Sequence, residues 1–281
     1  MSEFKLTTVE EFEAATARLL ETGEKVGADS WQMRVKNQTP HCKFGEQGVC
    51  CRICAMGPCR ITPKASRGIC GCDVHGIVGR NFLRFTAGGA ATHSDHGREI
   101  CITLGHAKEG GDYQVKDPEK LIRIAKEWGV ETEGKDIYDL AHEMSDLAQE
   151  EYGKIRGYSR WLKRAPQHTQ DLWHEAEIEP RAIDREVSCA LHMTHMGNTS
   201  KPEALIRQAL RNGLSDGWGG SMCGTEFSDV MFGTPKEIDT EANLGVMVEE
   251  NVNIVVHGHD PSLSEMICEY ADSKEMIDYA K

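Results

Sequence analysis

Seven of the chain's eleven cysteines fall within residues 42–72, in the run CKFGEQGVCCRICAMGPCRITPKASRGICGC. Cys42 is followed after seven residues by Cys50 and at once by Cys51. Two residues then lead to Cys54, four to Cys59 and ten to Cys70, with Cys72 just beyond Gly71. Thiolates at this density hold inorganic species. Zinc ribbons use two C-x2-C knuckles joined by a longer linker, whereas here the one C-x2-C is preceded directly by a cysteine and followed by C-x4-C. Iron-sulfur ligation fits the spacing better. The side chains of adjacent Cys50 and Cys51 leave the backbone in different directions, so the run divides into two clusters. Cys51, Cys54, Cys59 and Cys70, with Cys72 as the alternative to Cys70, make one four-thiolate set. Cys42 and Cys50 supply two ligands where a cubane needs four, and a twofold axis bringing the same pair from a second copy completes the number.

The neighbourhood suits that chemistry. Glycines at 45, 48, 57, 68 and 71 let the backbone approach inorganic sulfide closely enough to donate N–H bonds. Between residues 41 and 100, Lys43, Arg52, Arg60, Lys64, Arg67, Arg80, Arg84 and Arg98 outnumber Glu46, Asp73, Asp95 and Glu99. Nearby cations lower thiol pKa values and offset the negative charge of a thiolate-ligated cluster. The chain as a whole is acidic, with net charge -13 over 281 residues, which disfavours nucleic acid and anionic membranes as partners. Its N-terminus has no signal-peptide pattern and no apolar run approaches spanning length. A cytoplasmic location is expected, where a reducing environment leaves thiols free for metal.

The length suggests about two domains. Thr8 and Glu11 form a capping box for a first helix with Val9, Phe12, Leu19 and Leu20 on one face. The glycine- and proline-punctuated cysteine run permits only short helices. Residues 74–106, small and apolar, form a buried helix packed on the cluster loop and carry His93 and His96 one turn apart. Two such histidines can be core residues or titratable relays. Asp117-Pro118-Glu119 opens a helix that Gly129 ends, Ile137, Leu140 and Met144 mark another, and Ser200-Lys201-Pro202 starts one that ends at Gly213. Residues 213–225, GLSDGWGGSMCGT, read as a glycine-rich turn anchored by Trp218. NIVV at 253–256, then HGHDP and a helical SLSEMICEYA, have the strand, turn and helix that begin a Rossmann-like α/β unit. The expected fold is a mainly α-helical N-terminal domain with iron-sulfur cluster loops over residues 1–245, followed by the start of a Rossmann-like α/β domain over 246–281. Cys101, Cys189, Cys223 and Cys268 are isolated and read as buried structural thiols. His192 and His195, flanked by methionines, read as part of a packed helix.

These motifs resemble those of the anaerobic nickel-iron carbon monoxide dehydrogenases, including the subunit that pairs with acetyl-CoA synthase. The resemblance runs through CCRICAMGPCRITP, RGICG, THSDHGR at 92–98, REV and MG near 185–197 and VNIVVHGHDPSLSEM near the end. It implies that Cys51, Cys54, Cys59 and Cys70 hold an electron-relaying [4Fe-4S] B-cluster, the RGICG context favouring Cys70 over Cys72. Cys42 and Cys50 are implied to hold an iron-sulfur D-cluster shared across a homodimer. His259, with His257 as the alternative, matches the histidine ligand of a Ni-Fe-S C-cluster, where carbon monoxide and water become carbon dioxide, two protons and two electrons. His93 and His96 match histidines that stabilise bound substrate and begin a proton path. The family's further histidines at three-residue steps are replaced here by Glu99 and Ile102, which leaves Glu99 as the alternative carrier.

The same resemblance implies that the remaining C-cluster ligands lie beyond Lys281, in a C-terminal remainder or a separate polypeptide. It also implies an acetyl-CoA synthase subunit and a ferredoxin-like electron acceptor as partners. A rival reading is a non-catalytic iron-sulfur electron-transfer or scaffold subunit, which has no need of His93, His96 or His259. A second rival, the hybrid-cluster hydroxylamine reductase, differs in its N-terminal cysteine spacing.

Overall fold

The computed structural model describes residues 9–235 and 261–280. The chain divides into two compact units, Met1–Cys50 and Cys51–Lys281. The first holds α1 (Val9–Lys25), α2 (Trp31–Asn37) and the single turn α3 (Lys43–Glu46). Ser30 caps α2, its hydroxyl accepting from the Met33 amide at 3.3 Å. His41 is held between Glu46 Oε1 at 3.1 Å and the Val35 carbonyl at 3.3 Å. Leu19, expected on the apolar face of α1, is exposed.

The second unit opens at Cys51, the second residue of the short strand β1 (Cys50–Cys51), which pairs with β2 (Cys59–Arg60). It is organised around α4, which runs 32 residues from Val74 to Gly105. Asp73 caps it, accepting from the Gly76 amide at 2.9 Å, which satisfies one of the orphan N–H groups of the first turn. Gly76, Gly79, Ala87, Ala90, Ser94, Gly97 and Cys101 recur along its buried side, and small residues at these steps let neighbouring helices approach closely. Around it pack α6 (Ile137–Gly153), α8 (Ile183–Thr194), α9 (Pro202–Ser215) and α10 (Met222–Phe232). The tightest approach is at Gly97, where a Cβ would lie 2.1 Å from Tyr152 Oη and 2.9 Å from the Gly220 carbonyl oxygen. Only glycine fits there.

Outside these helices lie α5 (Pro118–Glu127) and α7 (Gln167–Glu175). The ends of α5 follow the sequence: Asp117 accepts from the Lys120 amide at 2.9 Å, and Gly129 takes φ 77° just past the helix. Leu104, Leu121, Ile124, Leu140, Met144 and Phe227 fill the main core, each side chain contributing roughly 1.5–3 kcal/mol by leaving water. Trp128, Trp161 and Phe227 meet edge-on, with ring centroids 5.0, 6.0 and 6.4 Å apart. Buried Lys120 ties α5 to α10 through Asp229 at 2.5 Å. A smaller cluster of Leu83, Ala87, Ala190, Leu205 and Ala209 lies under the first half of α4.

Three sequence expectations need correction. Residues 213–225 are not a turn: α9 continues to Ser215, a π-helical segment covers Asp216–Ser221, and α10 follows directly. Glycine clusters favour turns for entropic reasons, but here Gly220 and Gly224 are spent on close helix contact, a Cβ on Gly224 falling 3.0 Å from Gly97 Cα. Trp218 does anchor the segment, edge-on to Trp173 at 5.6 Å. Cys101 and Cys223 are not isolated, because the same close crossing brings their buried Sγ atoms to 3.9 Å. Cys268 is exposed on α11 (Pro261–Ala271) instead of buried, and Cys189 is half-buried.

A last helix, α12, covers Lys274–Ala280. The expected NIVV strand, the HGHDP turn with His257 and His259, and the boundary at 245/246 lie outside the described residues. Among those described, no helix is long and apolar enough to cross a membrane.

Candidate functional site

The second unit carries two hollows along α4. The first is lined by Cys51, Cys54, Cys59, Cys70 and Cys72, with Arg80 from α4 and apolar Ile53, Ile77 and Met196. Local backbone structure gathers the thiols. The paired strands bring Cys51 and Cys59 alongside, and Gly68 N–H donates to the Cys72 carbonyl at 2.8 Å, folding residues 68–72 into a tight loop. The Ile69 amide donates to Cys59 Sγ at 3.4 Å. Arg80 reaches Cys70 Sγ through Nη1 at 3.5 Å, while its Nε and Nη2 donate to the carbonyls of Thr199 at 2.8 Å and Asn198 at 3.4 Å.

Charge separates Cys70 from Cys72. Burial acts to raise the Cys70 thiol, but the Cys72 amide, the Arg80 hydrogen bond and charge, and the Gly197 amide outweigh it and hold the thiol below its ordinary value. Cys72 is only 1% exposed, and burial pushes its thiol up despite Arg80. Burial likewise raises Cys51, against the Ile53 amide. Cys72 Sγ is also packed against Gly76, where an added Cβ would lie 2.5 Å from it.

The second hollow, of about 370 Å³, lies between α4 and α10 and is lined by His93, His96, Ile100, Ser221, Thr225 and Asp229 among others. Both histidines are exposed, so they belong to a cavity wall, not to the core. His93 Nδ1 lies 2.7 Å from Asp216 Oδ1, and Ser221 Oγ donates to the same oxygen at 3.2 Å. An ionised carboxylate only accepts, so the pair puts the ring proton on Nδ1 and leaves Nε2 as the basic nitrogen of neutral His93. Asp216 comes from the π-helical segment, and misreading that segment as a turn hid it. Arg80 was visible only as one of several clustered cations. Cys42, exposed at the start of α3, and half-buried Cys50 belong to the first unit.

Comparison with known proteins gives the class first: residues 49–281 match the Prismane/CO dehydrogenase family, and the chain belongs to it. The relatives are more specific. Carbon monoxide dehydrogenase 1 of Methanosarcina mazei is 43% identical over 272 residues, covering 95% of this chain and 43% of the relative. The carbon monoxide dehydrogenase/acetyl-CoA synthase subunit beta of Moorella thermoacetica is 38% identical over 246 residues, covering 85% of this chain and 36% of the relative. The Ni-free crystal structure of carbon monoxide dehydrogenase from Thermococcus sp. AM4 superposes with a TM-score of 0.81 at 45% identity, covering 94% of this chain and 43% of that one. The chain thus spans less than half the length of these relatives.

Proposed function

We propose that this chain forms the cluster-wiring and proton-handling part of an anaerobic nickel-iron carbon monoxide dehydrogenase, with Cys51, Cys54, Cys59 and Cys70 holding a [4Fe-4S] cluster. The observation that carries this reading is the convergence of those four thiols on one hollow, in a chain of this family. Their donor chemistry fits such a cluster: soft thiolates, an amide and a guanidinium aimed at sulfur, and apolar walls. Among the described residues no three His, Cys, Asp or Glu side chains converge on a single-ion point, a spread that suits a cluster whose thiolates each bind a different iron. Cys70 is favoured over Cys72 because it is electrostatically prepared as a thiolate, while Cys72 packs against α4.

The remaining assignments follow the family. Cys42 and Cys50 hold an iron-sulfur D-cluster shared with a second copy, and His259 ligates iron of the Ni-Fe-S C-cluster. An acetyl-CoA synthase subunit and a ferredoxin-like acceptor are the assigned partners, the former in keeping with the name of the Moorella relative.

When bound, the clusters would supply carbon monoxide activation and a path for two electrons. The chain's own residues handle protons and charge. His93, oriented by Asp216, accepts a proton at Nε2 as carbon monoxide and water become carbon dioxide, and His96, one turn along α4, stands next on the cavity wall. Apolar Ile53, Ile77 and Met196 line the thiol hollow beside the cysteines. In the assembled enzyme, His93→Ala is expected to lower carbon monoxide oxidation about 10²–10⁴-fold, the usual worth of a general base, with iron-sulfur signals unchanged. Undiminished oxidation would favour the non-catalytic relay instead.

A further inference from the structure

Arg80 is 2% exposed, and among the described residues no carboxylate lies within ion-pairing distance of it. Its protein partners are two neutral carbonyls and one thiol. A cation withdrawn from water in this way needs an opposite charge close by to be stable. Among the described residues, the anionic centre that its surroundings can build is the group of thiolates it faces. We infer that Arg80 is the internal counter-ion of the cluster held by Cys51, Cys54, Cys59 and Cys70, and that it sets the potential of that cluster. The inference rests on the cluster assignment proposed above.

The physical sense is direct. Reduction adds one electron to the cluster, supplied by carbon monoxide oxidation and passed on to the external acceptor, with no bond made or broken. A fixed positive charge favours the more negative, reduced state, and an N–H bond to ligand sulfur acts in the same direction. The guanidinium cannot deprotonate, and its planar fork is held by carbonyls 198 and 199. Its charge is therefore constant and its position rigid. Arg67 provides a contrast, being exposed and bonded to the Gly71 carbonyl at 3.0 Å, so that solvent and salt screen it. Arg80 is shielded from both.

The test is an EPR-monitored redox titration of the anaerobically loaded protein, with iron and sulfide counted in every sample. Arg80→Gln is expected to load its cluster and to titrate at a more negative midpoint than wild type, at low and high ionic strength alike. Arg80→Lys, which keeps the charge but loses the fork, is expected to shift in the same direction by less. Arg67→Gln is expected to move the midpoint least, and only at low salt. Should Arg80→Gln fail to fold or load, Arg80→Lys decides. A loaded Arg80 variant that titrates with wild type, or to the positive side, overturns the inference. A wild-type protein that takes up no iron and sulfide overturns the cluster assignment itself, a distinct outcome read before any titration.

Discussion

His93 and Asp216 stand 123 positions apart in sequence, yet their side chains meet at 2.7 Å across the boundary between α4 and the π-helical segment. The carboxylate sets the tautomer and orientation of the ring. Asp216→Asn is expected to lower carbon monoxide oxidation in the assembled enzyme about 10–100-fold, in line with other groups that orient a functional histidine. Iron-sulfur signals should stay intact. Because Asn can still accept through its carbonyl oxygen, a larger loss in Asp216→Ala than in Asp216→Asn would identify orientation as the role. Equal, wild-type rates in both variants would remove Asp216 from the site.

The thiol hollow makes a discriminating prediction about neighbours two residues apart. Cys51→Ser, Cys54→Ser, Cys59→Ser and Cys70→Ser are each expected to lose the cluster, measured as iron and acid-labile sulfide per chain and as its EPR signal. Cys72→Ser is expected to keep it, at some cost in stability because a hydroxyl replaces a buried thiol. The reverse pattern at 70 and 72 would exchange their roles.

Glycine along α4 should divide sharply by position. Gly97→Ala places a methyl group 2.1 Å from buried Tyr152 Oη, and the overpacking is expected to cost about 1–3 kcal/mol in denaturant unfolding. Gly88 is exposed within the same helix, with nothing within 4 Å of a Cβ. Gly88→Ala is expected to stabilise by about 0.5–1 kcal/mol through helix propensity alone.

Glu186, fully buried, accepts from Arg181 Nε at 2.6 Å and Nη2 at 2.9 Å and from Gln208 at 2.8 Å. Burial alone would raise its carboxyl, but these donors outweigh it and hold the pKa below the usual carboxylate range. The resulting stability is fully present above the unfolded value of about 4.3 and is lost as pH falls through the folded value. Glu186→Gln is expected to cost about 2–3 kcal/mol at pH 7. The gap from wild type should narrow below about pH 4, and a gap independent of pH would show that the ion pair is not its source.

What could be read from sequence divides along physical lines. The helix at 118–127 was legible because Asp117, Pro118 and Gly129 act locally, through their own backbone. The gathering of cysteines at one hollow was legible because Cys51 to Cys72 lie close together in sequence. The continuous path from α9 into α10 was not, since the glycines that signal a turn locally serve a contact with Gly97 more than a hundred residues away. The pairs His93–Asp216 and Cys101–Cys223 were hidden for the same reason. Arg80 is one of eight cations between residues 41 and 100, and only its burial among carbonyls distinguishes it from the others.

The length of α4 has a mechanical consequence. Arg80 at the thiol hollow and His93 at the second cavity share one unbroken helix, so about 20 Å of rigid rod separates them at 1.5 Å per residue. The span works as a ruler. Loops at either end can breathe without altering the distance between the thiol hollow and the histidine cavity. A single residue inserted between the two would turn one end by about 100° relative to the other, swinging either hollow away from its lining. The spacing between the two hollows is thus a property of one helix, tolerant of substitution along its exposed side and intolerant of any change in count.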